Sequence, residues 1–368
     1  MATLRQKLRL LRGLIHGEAA FGGPFYMDVD VTRRCNMHCV GCQYHSSRTR
    51  NSVSSDPTVR DVPLEQMKQL CTELPKLGTP DVFLVGEGEP MLHPRWADIV
   101  SAFKAAGCTV HLFTNGTLID KTRAQALLES GLDELRVSLW ANTVEEYRLC
   151  HPGVDLEYFS RTLDGVKMLT SLKARHNREY PTVILTEPIN RHNYGSVRRR
   201  IGLAHDLGCD GVAFDTYRHW SGEFGSVALS PGEIEEVGRE LTRQREMIDS
   251  LSLSHNIDCL LAKHRLGEGA WSRVPCYAGW FFARIRVDGT VVPCGMCSLE
   301  LGNIRKAGFE EVWNGPRYRA FRRQASSPGG LASLSRVCDC GWCCYAGDNL
   351  AVHRYAKWFA GLRGRRDG

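Results

Sequence analysis

Cys35, Cys39 and Cys42 stand in the run Cys35-Asn36-Met37-His38-Cys39-Val40-Gly41-Cys42. Three thiolates at this spacing are one short of the four that a cubane iron–sulfur cluster takes from protein. A closed site uses every ligand for structure, whereas an iron left without one accepts a small molecule at that corner. The alternative is half of a zinc site, completed by His38, His45 or another cysteine, although structural zinc sites normally join CxxC pairs that lie far apart. A second set lies toward the C-terminus, where Cys276 and Cys294 flank Asp288-Gly289 and the run Cys338-Asp339-Cys340-Gly341-Trp342-Cys343-Cys344 contains a CxxC at Cys340 and Cys343. Asp-Gly is a strong hairpin signal, so the turn brings Cys276 and Cys294 together across a ladder. Four thiolates there suit a cubane or a structural zinc ion.

Other residues able to bind or react fall near the ends of β-like runs. In Gly86-Glu87-Gly88-Glu89-Pro90 the glycines let backbone approach a ligand, and a carboxylate there accepts hydrogen bonds from an ammonium group. A dinucleotide loop is excluded, because Met91 occupies the third glycine position of GxGxxG. Asn115 precedes Gly116 and is a turn residue or a ligand contact. Ser138 is a hydroxyl amid a β-run and needs a partner. Glu187, Asn190, Arg191, His192 and Asn193 form a polar cluster that is either part of the same rim or a solvated loop. Cys150, in Cys150-His151-Pro152-Gly153, and Cys297 are candidate hydrogen-atom donors, whereas Cys71, Cys108, Cys209 and Cys259 read as small hydrophobes.

These residues need a frame that gathers strand ends. Short β-like runs alternate with helical stretches from about Phe25 to Trp220, the pattern of a parallel sheet with crossover helices. The strands are expected at Tyr26 to Thr32, Asp81 to Val85, Thr109 to Phe113, Glu134 to Leu139, Thr182 to Thr186 and Gly211 to Asp215. Amphipathic helices are expected over Leu64 to Leu74, Arg95 to Ala106, Lys121 to Ser130 and Leu156 to Leu172, with Gly78, Gly107 and Gly131 as their stops. Six βα units make an α/β fold, a partial (β/α)6 TIM-like barrel whose chemistry sits at the C-terminal strand ends. Asn51 to Val62 reads as a mobile loop beside the first cysteines. Leu4, Leu8, Leu11 and Ile15 share one helical face, which is expected to cover the bottom of this domain in preference to a membrane surface.

The CxxxCxxC run resembles the signature of the radical S-adenosylmethionine (SAM) superfamily, in which the open iron chelates the amino and carboxylate groups of SAM. Gly41 stands where that family usually has an aromatic residue, and the resemblance moves part of the adenine-stacking role to Tyr44. Gly86 to Pro90 resembles the family's GGEP segment, with Glu87 in place of a glycine, and implies SAM contacts at Gly88, Glu89 and Pro90. By the same resemblance Asn115, Ser138 and Asn190 face the cofactor. The order Cys276, Cys294, Cys340, Cys343 resembles the SPASM and twitch domains and implies a small C-terminal α+β auxiliary-cluster domain with one [4Fe-4S] cluster. Cys297, Cys338 and Cys344 are left over as ligands of a second auxiliary cluster or as thiols. The expected division is an N-terminal amphipathic helix over 1–24, the partial barrel over 25–225, a helical linker over 226–270, the auxiliary domain over 271–346 and a basic tail over 347–368.

The resemblance implies that a reduced cluster cleaves SAM to a 5′-deoxyadenosyl radical, which abstracts hydrogen from carbon, and that a flavodoxin- or ferredoxin-like protein supplies electrons. The substrate is expected to be a carbohydrate-like natural product or other small molecule, because the N-terminal stretch leaves no room for a separate peptide-binding domain and Tyr217, His219 and Trp220 suit polyol faces. Inversion by a thiol donor and oxidation with the auxiliary cluster as electron acceptor both remain open. The rival readings are a maturase of ribosomally made peptides and a zinc-stabilised binding protein. The 368 residues carry 43% hydrophobic and 24% charged residues and a formal charge of +6, an ordinary globular balance that predicts no nucleic-acid partner. Fifteen cysteines without an export signal point to a reducing cytoplasm, no apolar run approaches membrane-spanning length, and a disulfide scaffold is not expected.

Overall fold

The computed structural model describes residues 3–46, 58–217, 225–266, 274–327, 330–334, 336–338, 343 and 345–364. His219, Trp220, Cys340, Cys344 and most of the expected loop after Asn51 lie outside them. Six strands, β1 (Tyr26–Asp30), β2 (Asp81–Val85), β3 (Thr109–Thr114), β4 (Glu134–Ser138), β5 (Thr182–Ile189) and β6 (Gly211–Thr216), form a parallel array in chain order. A short β7 (Ser254–His255) extends the β6 edge, also in parallel. On the other edge β8 (Phe282–Ile285) pairs parallel to β1, and β9 (Thr290–Val292) and β10 (Gly302–Asn303) follow antiparallel. The expected C-terminal module therefore continues the sheet of the barrel.

Alternation along the strands makes two faces. Val82, Leu84, Val110, Leu112, Leu135 and Val137 are buried under the helices. The opposite residues, Asp28, Phe83, His111 and Glu134, lie in one register across β1 to β4 and line the concave side. His111 stacks on Phe83 with ring centroids 4.2 Å apart and meets Glu134 at 2.9 Å, so this layer of the concave side is polar and aromatic.

Helices α1 (Leu4–His16), α2 (Leu64–Leu77), α3 (Trp96–Ala105), α4 (Lys121–Glu129), α5 (Val144–Cys150), α6 (Glu157–Arg175) and α7 (Val197–Asp206) belong to the barrel. Helix α2 stops at Gly78, whose φ of 75° is a left-handed cap open to glycine at little cost. The expectation for α1 is corrected. Leu4, Leu8 and Ile15 are 72%, 53% and 51% exposed, and the buried residues are Leu10, Leu11 and Gly13. The cause is a close approach at Gly13, where a Cβ would stand 2.9 Å from the Trp280 ring and from the Ala19 carbonyl, so the helix docks by its small residue. After β6 come α8 (Pro231–Arg243), α9 (Arg245–Ser250) and α10 (Ile257–Leu266), the last packed on β6.

Candidate functional site

A cavity of about 460 Å³ opens at the C-terminal ends of the strands. Cys35, Cys39 and Cys42 line it, with Tyr44, Gly88, Glu89, Pro90, Asn115 and Ser138. The cysteine loop follows β1 directly and its thiols are close enough to raise one another's pKa; burial is the larger cause and pushes Cys35 up to about 12 and Cys39 well above its ordinary value. Three such thiols ionise only against a cation, which fits them to hold a metal group. Among the described residues no group of three or more His, Cys, Asp or Glu is placed to hold a single metal ion. His45 meets the Glu87 carbonyl at 2.7 Å through Nε2, and His38 meets the His45 carbonyl at 3.0 Å through Nδ1. The Cys42 sulfur accepts hydrogen bonds from the backbone N–H groups of Tyr44 at 3.4 Å and His45 at 3.3 Å.

Gly41 has a physical explanation. A Cβ there would stand 2.3 Å from the Tyr217 ring and 2.9 Å from Trp140, so aromatic rings from other strand ends fill that space. The Tyr217 hydroxyl donates to the Gly41 carbonyl at 3.1 Å. Gly88 is held as tightly, since its Cβ would lie 2.2 Å from the Arg34 carbonyl oxygen, while the Glu89 N–H donates to that same oxygen at 2.7 Å. The Glu89 carboxylate is buried and accepts from Thr114 Oγ1 at 2.7 Å, Asn115 N at 2.7 Å and Met91 N at 3.1 Å. Burial outweighs these bonds and raises its pKa. Glu87 also lines the cavity and pairs with Arg33 at 2.5 Å, and Arg33 reaches Asp288 of the β8–β9 hairpin at 3.0 Å.

Four expected residues do not meet the cavity in the expected way. Asn115 lines it, but its side chain is occupied by Asn36 at 2.9 Å and Thr117 at 2.7 Å. Asn190 is fully buried behind the wall, where its amide meets the Cys150 sulfur at 3.7 Å and the Pro188 carbonyl at 3.0 Å. Cys150 is buried there too, outside the lining, with its pKa pushed up to about 12 by burial. Cys297 pairs with Cys338 across an isolated antiparallel bridge and does not line the cavity. Asn193 is buried on the Trp140 carbonyl at 2.9 Å, and Arg191 lies 3.7 Å from Glu233.

Thr186, Lys263 and Met296 line the cavity without having been expected. The Thr186 hydroxyl oxygen is buried with no hydrogen-bond partner among the described residues, and Thr186 pairs with Ser138 in register. Thr186, like Ser138, is a hydroxyl residue in a β-run and needs a partner. Lys263 arrives from α10 and pairs with Asp215 at 3.0 Å; no sequence signal marks it. Met296 lies between Cys294 and Cys297, so the C-terminal module adds to the wall. Cys276, Cys294 and Cys343 are half-buried in that module, and the Cys343 sulfur accepts from Asn349 at 3.5 Å.

Comparison with known proteins agrees with this arrangement. The Radical SAM superfamily model matches residues 29–217, and the SPASM iron-sulfur cluster-binding domain matches residues 276–345. An AdoMet-dependent heme synthase of Methanosarcina barkeri is 26% identical over 94% of this chain and 99% of its own length. A PqqA peptide cyclase of Gluconobacter oxydans is 24% identical over 81% of this chain and 79% of its own. Among solved structures, Streptococcus suis SuiB bound to precursor peptide SuiA superposes with a TM-score of 0.65 at 15% identity, covering 86% of this chain and 70% of that one.

Proposed function

Since the chain belongs to the radical SAM superfamily and carries a SPASM domain, making it an enzyme that binds SAM, a [4Fe-4S] cluster and auxiliary iron–sulfur, we propose that it removes hydrogen from a carbon of a peptide substrate. When bound, SAM and the reduced cluster supply a 5′-deoxyadenosyl radical. Cys35, Cys39 and Cys42 would hold that cluster, and Cys276, Cys294, Cys343 and Cys340 the auxiliary one. Gly88 and Pro90 would bring backbone against SAM, Glu89 would fix the segment through Thr114 and Asn115, and Ser138 and Thr186 would offer hydroxyls on neighbouring strands.

The observation that carries the peptide reading is the cavity wall. Met37, Phe113, Trp140, Tyr217 and Met296 line it, and the Tyr217 hydroxyl is already engaged by Gly41. A polyol would need many hydrogen-bond partners there, whereas an amino-acid side chain needs apolar contact and a few polar groups. The relatives named for peptide substrates support it. The carbohydrate reading with a thiol donor loses its support, because Cys150 and Cys297 lie off the cavity. A second reading, a substrate on the route to heme, is favoured by the near full-length match to the heme synthase. No helix among the described residues is long and apolar enough to cross a membrane. A reducing cytoplasm, with a flavodoxin- or ferredoxin-like electron donor, suits the reduced clusters.

The test is anaerobic incubation of the iron-loaded enzyme with SAM, reductant and either peptides encoded beside its gene or heme precursors. Formation of 5′-deoxyadenosine with a peptide that has lost hydrogen supports the first reading. Conversion of the heme precursor alone supports the second, and intact SAM under reductant overturns both.

A further inference from the structure

Arg284, on β8, sits between the two cysteine groups. Its Nε and Nη2 donate to the two carboxylate oxygens of Asp30 at 2.9 and 2.8 Å, and Nη2 also donates to the Tyr44 hydroxyl at 3.2 Å. The Asp30 side chain is fully buried and that of Arg284 is 11% exposed. Tyr44 is two residues past Cys42, and its own N–H points at the Cys42 sulfur. On the other side the guanidinium lies against Gly295, the residue after Cys294, where a Cβ would stand 2.9 Å from Nη1. One buried side chain thus touches the loop of each group, and these contacts serve no function derived above.

We propose that Arg284 is a positioning residue that couples the auxiliary cysteine loop to the first cluster, by holding Tyr44 so that its amide stays on the Cys42 sulfur. The inference rests on Cys35, Cys39 and Cys42 being cluster ligands. Its physical basis is that hydrogen bonds to cluster sulfurs and nearby charge set reduction potential, since both stabilise the more negative reduced form. Asp30 holds the guanidinium with a two-bond grip that a lysine ammonium reproduces only in charge. A displacement of Gly295 moves the guanidinium, the guanidinium moves Tyr44, and the N–H···S bond at Cys42 lengthens. A rearranged auxiliary loop would then make the first cluster harder to reduce, which keeps SAM intact until both sites are filled.

Three variants separate this role from a merely structural one. Tyr44→Phe removes the hydroxyl that Arg284 holds and leaves the charge in place. Gly295→Ala pushes on Arg284 from the auxiliary side and alters nothing within the first loop. Arg284→Lys keeps the charge and loses the fork. Each is reconstituted with iron and sulfide, its iron content is measured, and the midpoint potential of the first cluster is followed by EPR redox titration without SAM, that cluster being identified by the change in its signal when SAM is added. The expected result is a lower potential in Y44F and in G295A at unchanged iron content, with R284K between them and wild type. A wild-type potential in either Y44F or G295A overturns the proposal. Absence of any cubane signal in the wild-type protein would instead overturn the assignment of the cluster ligands.

Discussion

Arg200 and Glu187 are both fully buried and meet at 2.9 Å, which makes their pair the clearest place to test how the cavity wall is held. Arg200 Nη2 also donates to the Leu139 carbonyl at 2.5 Å and the Ala141 carbonyl at 3.3 Å, so the guanidinium clamps the segment that carries Trp140. Asn142 adds a bond to the same Glu187 oxygen at 3.0 Å. Removing one partner of a buried ion pair leaves an uncompensated charge and costs about 3–5 kcal/mol, whereas removing both leaves chiefly the two carbonyls without a donor, about 1–3 kcal/mol. With an unfolding entropy of about 2 cal/mol/K per residue, a chain of 368 residues loses roughly 4–6 °C of Tm for R200M and half of that or less for E187Q/R200M. The assay is thermal unfolding of the iron-loaded enzyme at a fixed scan rate, completed as a double-mutant cycle. The pH dependence has a definite sign. Burial holds the Glu187 carboxyl above its ordinary pKa even beside Arg200, and without Arg200 it rises further. A carboxyl raised in the folded state favours folding below its unfolded value and loses that contribution as pH rises through the folded value, so R200M becomes more harmful as pH rises above the ordinary carboxylate range. A double variant as unstable as the sum of the singles, or an R200M penalty independent of pH, would refute the argument.

Gly88→Ala forces a methyl group to within 2.2 Å of the Arg34 carbonyl, backbone that cannot swing aside, so SAM affinity falls at least tenfold, about 1.4 kcal/mol or more, as read by the SAM-induced change in the EPR signal. Thr186→Val removes a buried hydroxyl that no described residue satisfies; stability stays within about 1 kcal/mol while affinity for SAM or substrate drops several-fold, and unchanged binding with lost stability would show a structural role. Cys150→Ala leaves 5′-deoxyadenosine formation and product intact, because the thiol faces Asn190 behind the wall; loss of product with continued SAM cleavage would restore it as a hydrogen donor.

Much of the frame was readable because its signals are local. Alternating runs at Asp81, Thr109 and Glu134 carry the period of strands with one buried face, and the glycines after the helices need only their own backbone to act as stops. Cys35, Cys39, Cys42, Gly88 and Ser138, which line the cavity, are marked in the sequence by spacing or by a misplaced hydroxyl. What escaped depends on distant partners. The exposed face of α1 follows from Gly13 meeting Trp280, 267 positions later, and nothing in the Leu spacing encodes that encounter. Lys263 comes to the cavity on a helix that packs on β6, and Asn190 turns away because Cys150 and Pro188 satisfy it behind the wall.

The continuity of the sheet changes what the second cysteine group can do. An appended domain on a flexible linker would meet the barrel through a surface that opens and closes. Here β8 hydrogen-bonds to β1 along Tyr26 to Val29, the strand that delivers Cys35, and the hairpin that follows sends Asp288 to Arg33. Met296 reaches the cavity from the connection between β9 and β10. β8 and its hairpin are therefore tied by backbone pairing and an ion pair to the strand that delivers the cysteine loop. A distance between the groups fixed by strand pairing is what electron exchange between two clusters needs, and it is also why a single buried arginine can sense both. Glu87 follows the same logic, since a glycine at that position would remove one of the two carboxylates on Arg33, the guanidinium that bridges the Gly86 to Pro90 segment and Asp288 of the hairpin.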